Sequence, residues 1–209
     1  MKIAIVLYPG FTALDVVGPY EVLGRLPGAE VVFVAEEPGL VLNDQGSLSI
    51  QAVAKLEDMS HPDVVVIGGG PGQLDQMSDG PLHRWLRQVD QTTQWTMSVC
   101  TGSLILAAAG LLQNRRATTY WLQLEELRKF GAIPTDERVV TDGKYLIGAG
   151  VSAGIDAALT LASKIVGDDG AQALQLIIEY DPQPPFDAGS ESKAPRSVVE
   201  DAKRQLLGS

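Results

Sequence analysis

A single cysteine, Cys100, stands in the run Trp95-Thr96-Met97-Ser98-Val99-Cys100-Thr101-Gly102-Ser103-Leu104, where residues of strand character give way to a helix opened by small side chains. A strand that turns sharply into a helix presents one side chain at the top of a sheet, beside backbone N–H groups that the first helical turn leaves unpaired. Those donors and the positive helix end favour a negative sulfur, so the context predicts a nucleophilic thiolate. The plainer alternative is a small buried apolar side chain, the common fate of a lone cysteine.

Two further segments carry chemistry. Gly68-Gly69-Gly70-Pro71-Gly72 follows an apolar run, Val64 to Ile67, and so lies at the carboxyl end of a strand, where α/β folds place their sites. It has neither the Lys-Ser/Thr ending of a phosphate-binding loop nor the spacing of a dinucleotide fingerprint. Its better use is backbone N–H donation to a charge developing on a group bound to Cys100; otherwise it is a tight turn made of glycine. Asp15 follows the first strand and precedes Gly18-Pro19-Tyr20-Glu21. It either caps a helix or turns its carboxyl group toward the cysteine, where desolvation would raise its pKa and let it exchange a proton near neutrality. Glu21 is the competing acid. The two histidines, His61 and His83, are far apart, in settings read as loops, and form no metal cluster.

These residues need a scaffold, and the patterning supplies one. Near-continuous apolar runs at Ile3 to Leu7, Glu30 to Ala35, Val64 to Ile67 and Trp95 to Val99 suit parallel strands covered on both faces. Helical patterns lie between them, at Asp15 to Leu26 and at Pro81 to Val89, the latter opened by proline and carrying Leu82, Trp85, Leu86 and Val89 on one face. The alternation predicts an α/β, mostly parallel, doubly wound sheet. Further on, a helix is expected from Leu122 to Phe130, ending at Gly131. A hairpin is expected around Asp142-Gly143, then helices through Val166 and from Ala171 to Ile178. Asp181 to Pro195 reads as a surface strap, followed by an amphipathic helix from Arg196 to Leu207 with Val198, Val199, Ala202 and Leu206 on one side.

The 209 residues suffice for one such domain, with the strap and final helix from about 181 as part of it. A formal net charge of −10 argues against nucleic acid and anionic membranes as partners. One cysteine excludes an internal disulfide and a cysteine-rich zinc site. The first residues read as a strand rather than a signal peptide, and no apolar stretch is long enough to span a bilayer, so the cytoplasm is the expected location.

The motifs Leu14-Asp15-Val16-Val17-Gly18-Pro19, Ile67-Gly68-Gly69-Gly70, Ser98-Val99-Cys100-Thr101-Gly102-Ser103, Ala107-Ala108-Ala109-Gly110-Leu111-Leu112, Arg116-Ala117-Thr118-Thr119 and Ala153-Gly154-Ile155-Asp156, in this order, resemble the ThiJ/PfpI superfamily and within it the isonitrile hydratases. The likeness runs on through Glu179-Tyr180-Asp181-Pro182 and the segment from Pro184 to Ser190. It implies a flavodoxin-like, class I glutamine amidotransferase-like three-layer sandwich that forms a homodimer and acts on a small molecule without metal or organic cofactor. Carried over, Cys100 is the nucleophile on a strained elbow, Asp15 the neighbouring acid, and Thr101 the residue that helps hold the reacting group. The amides of Gly69 and Gly70 face the same pocket, which Tyr120, Trp121, Val151 and Ser152 are expected to line. Where many relatives read Thr-Thr-His-Trp, this chain has Thr118-Thr119-Tyr120-Trp121. A tyrosine there donates a hydrogen bond but is a poor base at neutrality, which disfavours protease or glutaminase chemistry. The implied reaction is hydration of R–N≡C to a formamide. The alternatives are glyoxalase or deglycase-like chemistry on small aldehydes, and a non-catalytic cysteine-based sensor acting through a partner.

Overall fold

The computed structural model describes residues 1–207 and divides into two compact units, Met1–Ile178 and the segment from Glu179 onward. In chain order the first unit contains β1 (Lys2–Val6), α1 (Ala13–Leu23), β2 (Glu30–Ala35), β3 (Gly39–Leu42), β4 (Ser49–Ala52), β5 (Ala54–Lys55), β6 (Val64–Ile67), α2 (Pro81–Asp90), β7 (Trp95–Val99), α3 (Gly102–Ala108), β8 (Arg116–Ala117), β9 (Ile133–Pro134), β10 (Val139–Asp142), β11 (Tyr145–Gly148) and α4 (Ala153–Ile177). Short 3₁₀ segments cover Pro71–Gln76 and Trp121–Phe130.

The central sheet has the order β10-β11-β7-β6-β1-β2-β5 and is parallel except for the β10–β11 hairpin. Its inner strands β1, β6 and β7 are buried almost throughout, as apolar runs covered on both faces must be. Helix α1 packs on α4, and α2 on α3, giving the helical layers of a three-layer sandwich. The α1–α4 contact is close because its facing residues are small. A Cβ on Gly18 would lie 3.1 Å from Ile155 Cγ1, and one on Gly154 would lie 3.3 Å from Pro19 Cδ.

Several expected boundaries move. Helix α1 begins at Ala13 and stops at Leu23, because Gly24 closes it. The segment from Trp121 to Phe130 is 3₁₀ rather than α-helical, a distinction that apolar spacing over so short a run does not encode; Gly131, at φ 76°, ends it as expected. The two helices expected through Val166 and Ile178 are both present within Ala153–Ile177, separated by a kink at Gly167, whose φ 79° and ψ 168° are not helical. His83 is not in a loop: it is buried on α2, its Nε2 paired with the Gln76 carbonyl at 2.7 Å. The β3–β4 hairpin and the small β8–β9 pair have no counterpart in the sequence-based expectation.

The second unit holds α5 (Arg196–Leu207) behind an irregular segment. Its ion pairs, Arg196 with Glu200 at 2.8 Å and Lys203 with Glu191 at 2.8 Å, are solvent-facing. Of the expected apolar stripe, Val199 and Ala202 are half-buried, whereas Val198 and Leu206 are exposed.

Candidate active site

Strand β7 delivers Cys100 to the carboxyl edge of the sheet, and α3 starts two residues later. Cys100 takes φ 57°, a left-handed conformation that a side chain enters at a cost of about 1–2 kcal/mol. Hydrogen bonds on both of its peptides hold it there. Its N–H donates to the carbonyls of Gly148 (3.1 Å) and Ala149 (2.6 Å) at the end of β11. Its carbonyl accepts from the hydroxyls of Thr119 (3.0 Å) and Ser103 (3.2 Å), both buried. Sequence patterning assigns Thr119 no role, and this contact supplies one. The elbow also needs Gly102, since a Cβ there would meet the Ile67 carbonyl oxygen at 2.4 Å.

Asp15 resolves the choice the sequence left open. It lies inside α1, so it is no cap; Thr12 precedes the helix, and its hydroxyl is engaged by Asp44 at 2.8 Å instead of capping it. The carboxyl group of Asp15 is fully buried. Oδ2 accepts the Gly69 N–H at 2.8 Å, while Oδ1 is sealed from solvent without a hydrogen-bond partner. The Cys100 thiol is near enough for each group to shift the other's proton affinity, although sulfur and Oδ1 do not complete a well-formed hydrogen bond. Burial is the main force on Asp15, raising it from the ordinary 3.8 to about 7 against the Gly69 hydrogen bond and the Cys100 contact, with the Asp44 charge adding to the rise. Burial also pushes the Cys100 thiol well above its usual range, followed by the Asp15 charge; the N–H groups of Thr101 and Val151 pull the other way without overcoming them. The helix-end effect expected to yield a thiolate therefore loses to desolvation. The thiol and carboxyl titrate as a coupled pair that retains a proton through neutrality.

The glycine loop serves this pair differently from the expectation. The Gly69 N–H is taken by Asp15, and the Gly70 N–H by Thr101 Oγ1 at 3.1 Å. Neither is an open oxyanion donor in this state; they position the acid and the threonine. Fit is tight, because a Cβ on Gly69 would stand 2.4 Å from both the Thr101 nitrogen and its Oγ1. Tyr8, overlooked in the sequence, is buried at the end of β1 and donates its hydroxyl to the Gly68 carbonyl at 2.7 Å. Its signal was a polar tip closing an apolar strand just before Pro9-Gly10.

Of the remaining expected residues, half-buried Tyr120 flanks the Ala149-Gly150-Val151 turn: a Cβ on Gly150 would lie 3.4 Å from the tyrosine ring. Trp121 meets Tyr120 edge-on, with centroids 6.0 Å apart. Val151 turns its backbone N–H to the Cys100 sulfur, whereas the Ser152 hydroxyl is occupied by Arg138 at 3.3 Å. Glu21 is no rival acid, being paired with Arg25 at 2.6 Å on a partly exposed helix face. His61 contacts Ser60 at 2.9 Å, and neither histidine joins the pair. Among the described residues no cluster of His, Cys, Asp or Glu comes together to hold a metal, and no helix is long and apolar enough to cross a membrane.

Comparison with known proteins gives consistent matches. The model of the DJ-1/PfpI family matches residues 1–167. An isonitrile hydratase of Pseudomonas putida is 43% identical over 209 residues, covering 100% of this chain and 91% of that protein. The crystal structure of a ThiJ/PfpI family protein from Pseudomonas syringae, 39% identical, superposes with a TM-score of 0.94 over 99% of this chain and 86% of that one. A helix-turn-helix-type transcriptional regulator from Pseudomonas aeruginosa is 29% identical over 77% of this chain, which spans 49% of that regulator.

Proposed function

The chain belongs to the DJ-1/PfpI family, and from that premise we propose that it is an isonitrile hydratase, converting R–N≡C and water to an N-substituted formamide through a covalent intermediate on Cys100. The observation that carries the chemistry is the buried Cys100–Asp15 pair, with Asp15 Oδ2 fixed by the Gly69 N–H, its carboxyl group raised by burial to about 7, and no histidine taking part. The whole-chain likeness to a protein named for this activity selects the substrate.

In the proposed reaction the sulfur of Cys100 bonds to the terminal isonitrile carbon, and the pair's proton, carried by Asp15, passes to that same carbon. The S–H bond has in effect added across one atom, giving the thioimidate R–N=CH–S–Cys100. A water then adds to the carbon as Asp15 takes up its proton, and the nitrogen is protonated. Breaking the C–S bond releases R–NH–CHO and returns the sulfur with a proton. Dividing one difficult addition into two easier steps is what covalent catalysis contributes. An uncharged substrate suits this site, since the pair gains nothing from a second buried charge. Thr101, fixed by the Gly70 N–H, retains a hydroxyl proton to direct toward the bound group.

Purified protein is to be mixed with a simple alkyl isonitrile and formamide followed, with Cys100→Ala and Asp15→Asn alongside. Turnover in the wild type that is lost in both variants is the expected result. No wild-type turnover, with Cys100 still open to alkylation, would overturn the hydratase reading and move the assignment to aldehyde chemistry or sensing. We further propose that the working form pairs two copies of the chain; sedimentation of the same preparation as a clean monomer would remove that part.

A further inference from the structure

We infer that Tyr8 is a positioning residue for the acid: through the single peptide that joins Gly68 to Gly69 it orders and polarises the N–H that holds Asp15. The Gly68 carbonyl and the Gly69 N–H are opposite ends of one rigid amide plane. Tyr8 donates to the carbonyl end at 2.7 Å, and the N–H end donates to Asp15 Oδ2 at 2.8 Å, so phenol, peptide and carboxyl form a continuous buried relay. Bonds in such a chain polarise one another, by about 10–30% per bond. Drawing charge onto the carbonyl oxygen makes the N–H a better donor, and a better donor stabilises the ionised carboxyl group.

Geometry leaves this peptide little other freedom. A Cβ on Gly68 would stand 2.8 Å from Asp15 Cβ, and one on Gly102 would stand 2.8 Å from the Gly68 oxygen, so the plane is gripped between α1 and the elbow. Rotating it would break the Asp15 contact and orphan a buried carbonyl together. The hydroxyl of Tyr8 fixes the orientation from the third side. The phenol does not compete for the proton, since burial and the neighbouring Asp15 and Cys100 charges hold it well above its ordinary range. The titratable or charged groups acting directly on Asp15 are Cys100 from the elbow and Asp44 from the loop between β3 and β4, while Tyr8, just past β1, feels the Asp15 charge and reaches it through the Gly68–Gly69 peptide.

The inference deepens the proposed reading of the Cys100–Asp15 pair and rests on it, but its test requires no isonitrile. Loss of the pair's first proton leaves one proton shared between sulfur and carboxyl group, and iodoacetamide traps the minor thiolate form of that monoanion, so the lower limb of the Cys100 alkylation rate against pH reports the first proton loss. In the wild type that limb is expected near pH 7, where Asp15 is poised. Tyr8→Phe, which keeps the ring and removes the donor, is expected to move the limb up by about half a unit. Site-specific replacement of the Tyr8 phenol by a 3-fluorophenol, a stronger donor of nearly the same size, is expected to move it down, and decides the matter should the phenylalanine variant fail to fold. A limb that stays in place in the folded variants, whatever happens to their melting temperature, would overturn the inference, because a merely structural tyrosine alters stability without moving the limb. Shifted limbs in a protein that hydrates no isonitrile would leave the role of Tyr8 standing and remove only the reaction assigned to the pair.

Discussion

Asp15 is held by one N–H and surrounded by a thiol and a second carboxylate, none of them a cation, so its charge is expensive in the folded state. That has a thermodynamic consequence independent of catalysis. Its carboxyl group ionises at 3.8 in an ordinary setting and at about 7 here, so between those values the folded protein binds a proton that the unfolded chain has released. Stability from this group is complete below pH 4, falls as pH rises toward 7, and stays lost above it. At about 1.4 kcal/mol per pH unit the loss is on the order of a few kcal/mol. Asp15→Asn, which cannot ionise, is expected to lack this slope. Melting temperatures of wild type and variant measured from pH 4 to pH 8 should therefore diverge in favour of the variant as pH rises, with the common behaviour of the other carboxylates cancelling in the comparison. Parallel curves would mean that Asp15 ionises normally and that the site is more solvated than its complete burial implies.

The elbow stores strain at Cys100, the proposed nucleophile, and its supports come from three places distant in sequence: β11 at the Cys100 N–H, Thr119 at its carbonyl, and the β6 carbonyl end facing Gly102. Replacing Cys100 by glycine removes the Cβ that a φ of 57° disfavours, and replacing it by alanine does not. Both variants should be inactive, but Cys100→Gly should be more stable than Cys100→Ala by about 1 kcal/mol in denaturant unfolding. Equal stabilities would mean that the supporting hydrogen bonds make the strain vanish. The strand-to-helix seam was legible in the sequence because apolar β7 stops abruptly at Thr101-Gly102-Ser103. The core strand runs along the chain and the Asp-Gly hairpin were legible for the same kind of reason, local turn chemistry between patterned runs. What the sequence did not expose is contact across elements. Nothing local says that Tyr8 reaches Gly68, that Asp44 sits near enough to Asp15 to raise it, or that the Gly69 and Gly70 amides are spent on protein groups. Nor does apolar spacing separate the 3₁₀ turns at Trp121–Phe130 from α-helix, or announce the β3–β4 hairpin, whose Leu40 and Leu42 face solvent.

Across the first unit the sheet separates two polar assemblies. At the carboxyl ends of β1, β6 and β7 lie Tyr8, the glycine loop and Cys100, the switch-point placement usual for open α/β sheets. At the other end of β11, Tyr145 donates to both carboxylate oxygens of Asp90 at 2.9 Å, and Lys144 approaches the same carboxylate at 3.1 Å. Arg115 covers the Tyr145 ring at 4.6 Å while pairing with Asp142 at 3.2 Å. This second assembly ties the end of α2 to the β10–β11 hairpin and contains no group that reaches the thiol. It anchors the start of β11 to the end of α2, and β11 in turn supplies the Gly148 carbonyl that fixes the Cys100 N–H. Tyr145→Phe deletes one hydrogen bond to a charged group, a loss of about 2 kcal/mol, or ~4–8 °C in a protein of this size. If the register survives that loss, the variant should melt earlier yet retain the wild-type kcat and the wild-type pH limb of Cys100 alkylation, the opposite pattern from Tyr8→Phe. A Tyr145→Phe variant that kept its melting temperature and lost activity would mean instead that the two ends of the sheet are mechanically coupled through β11.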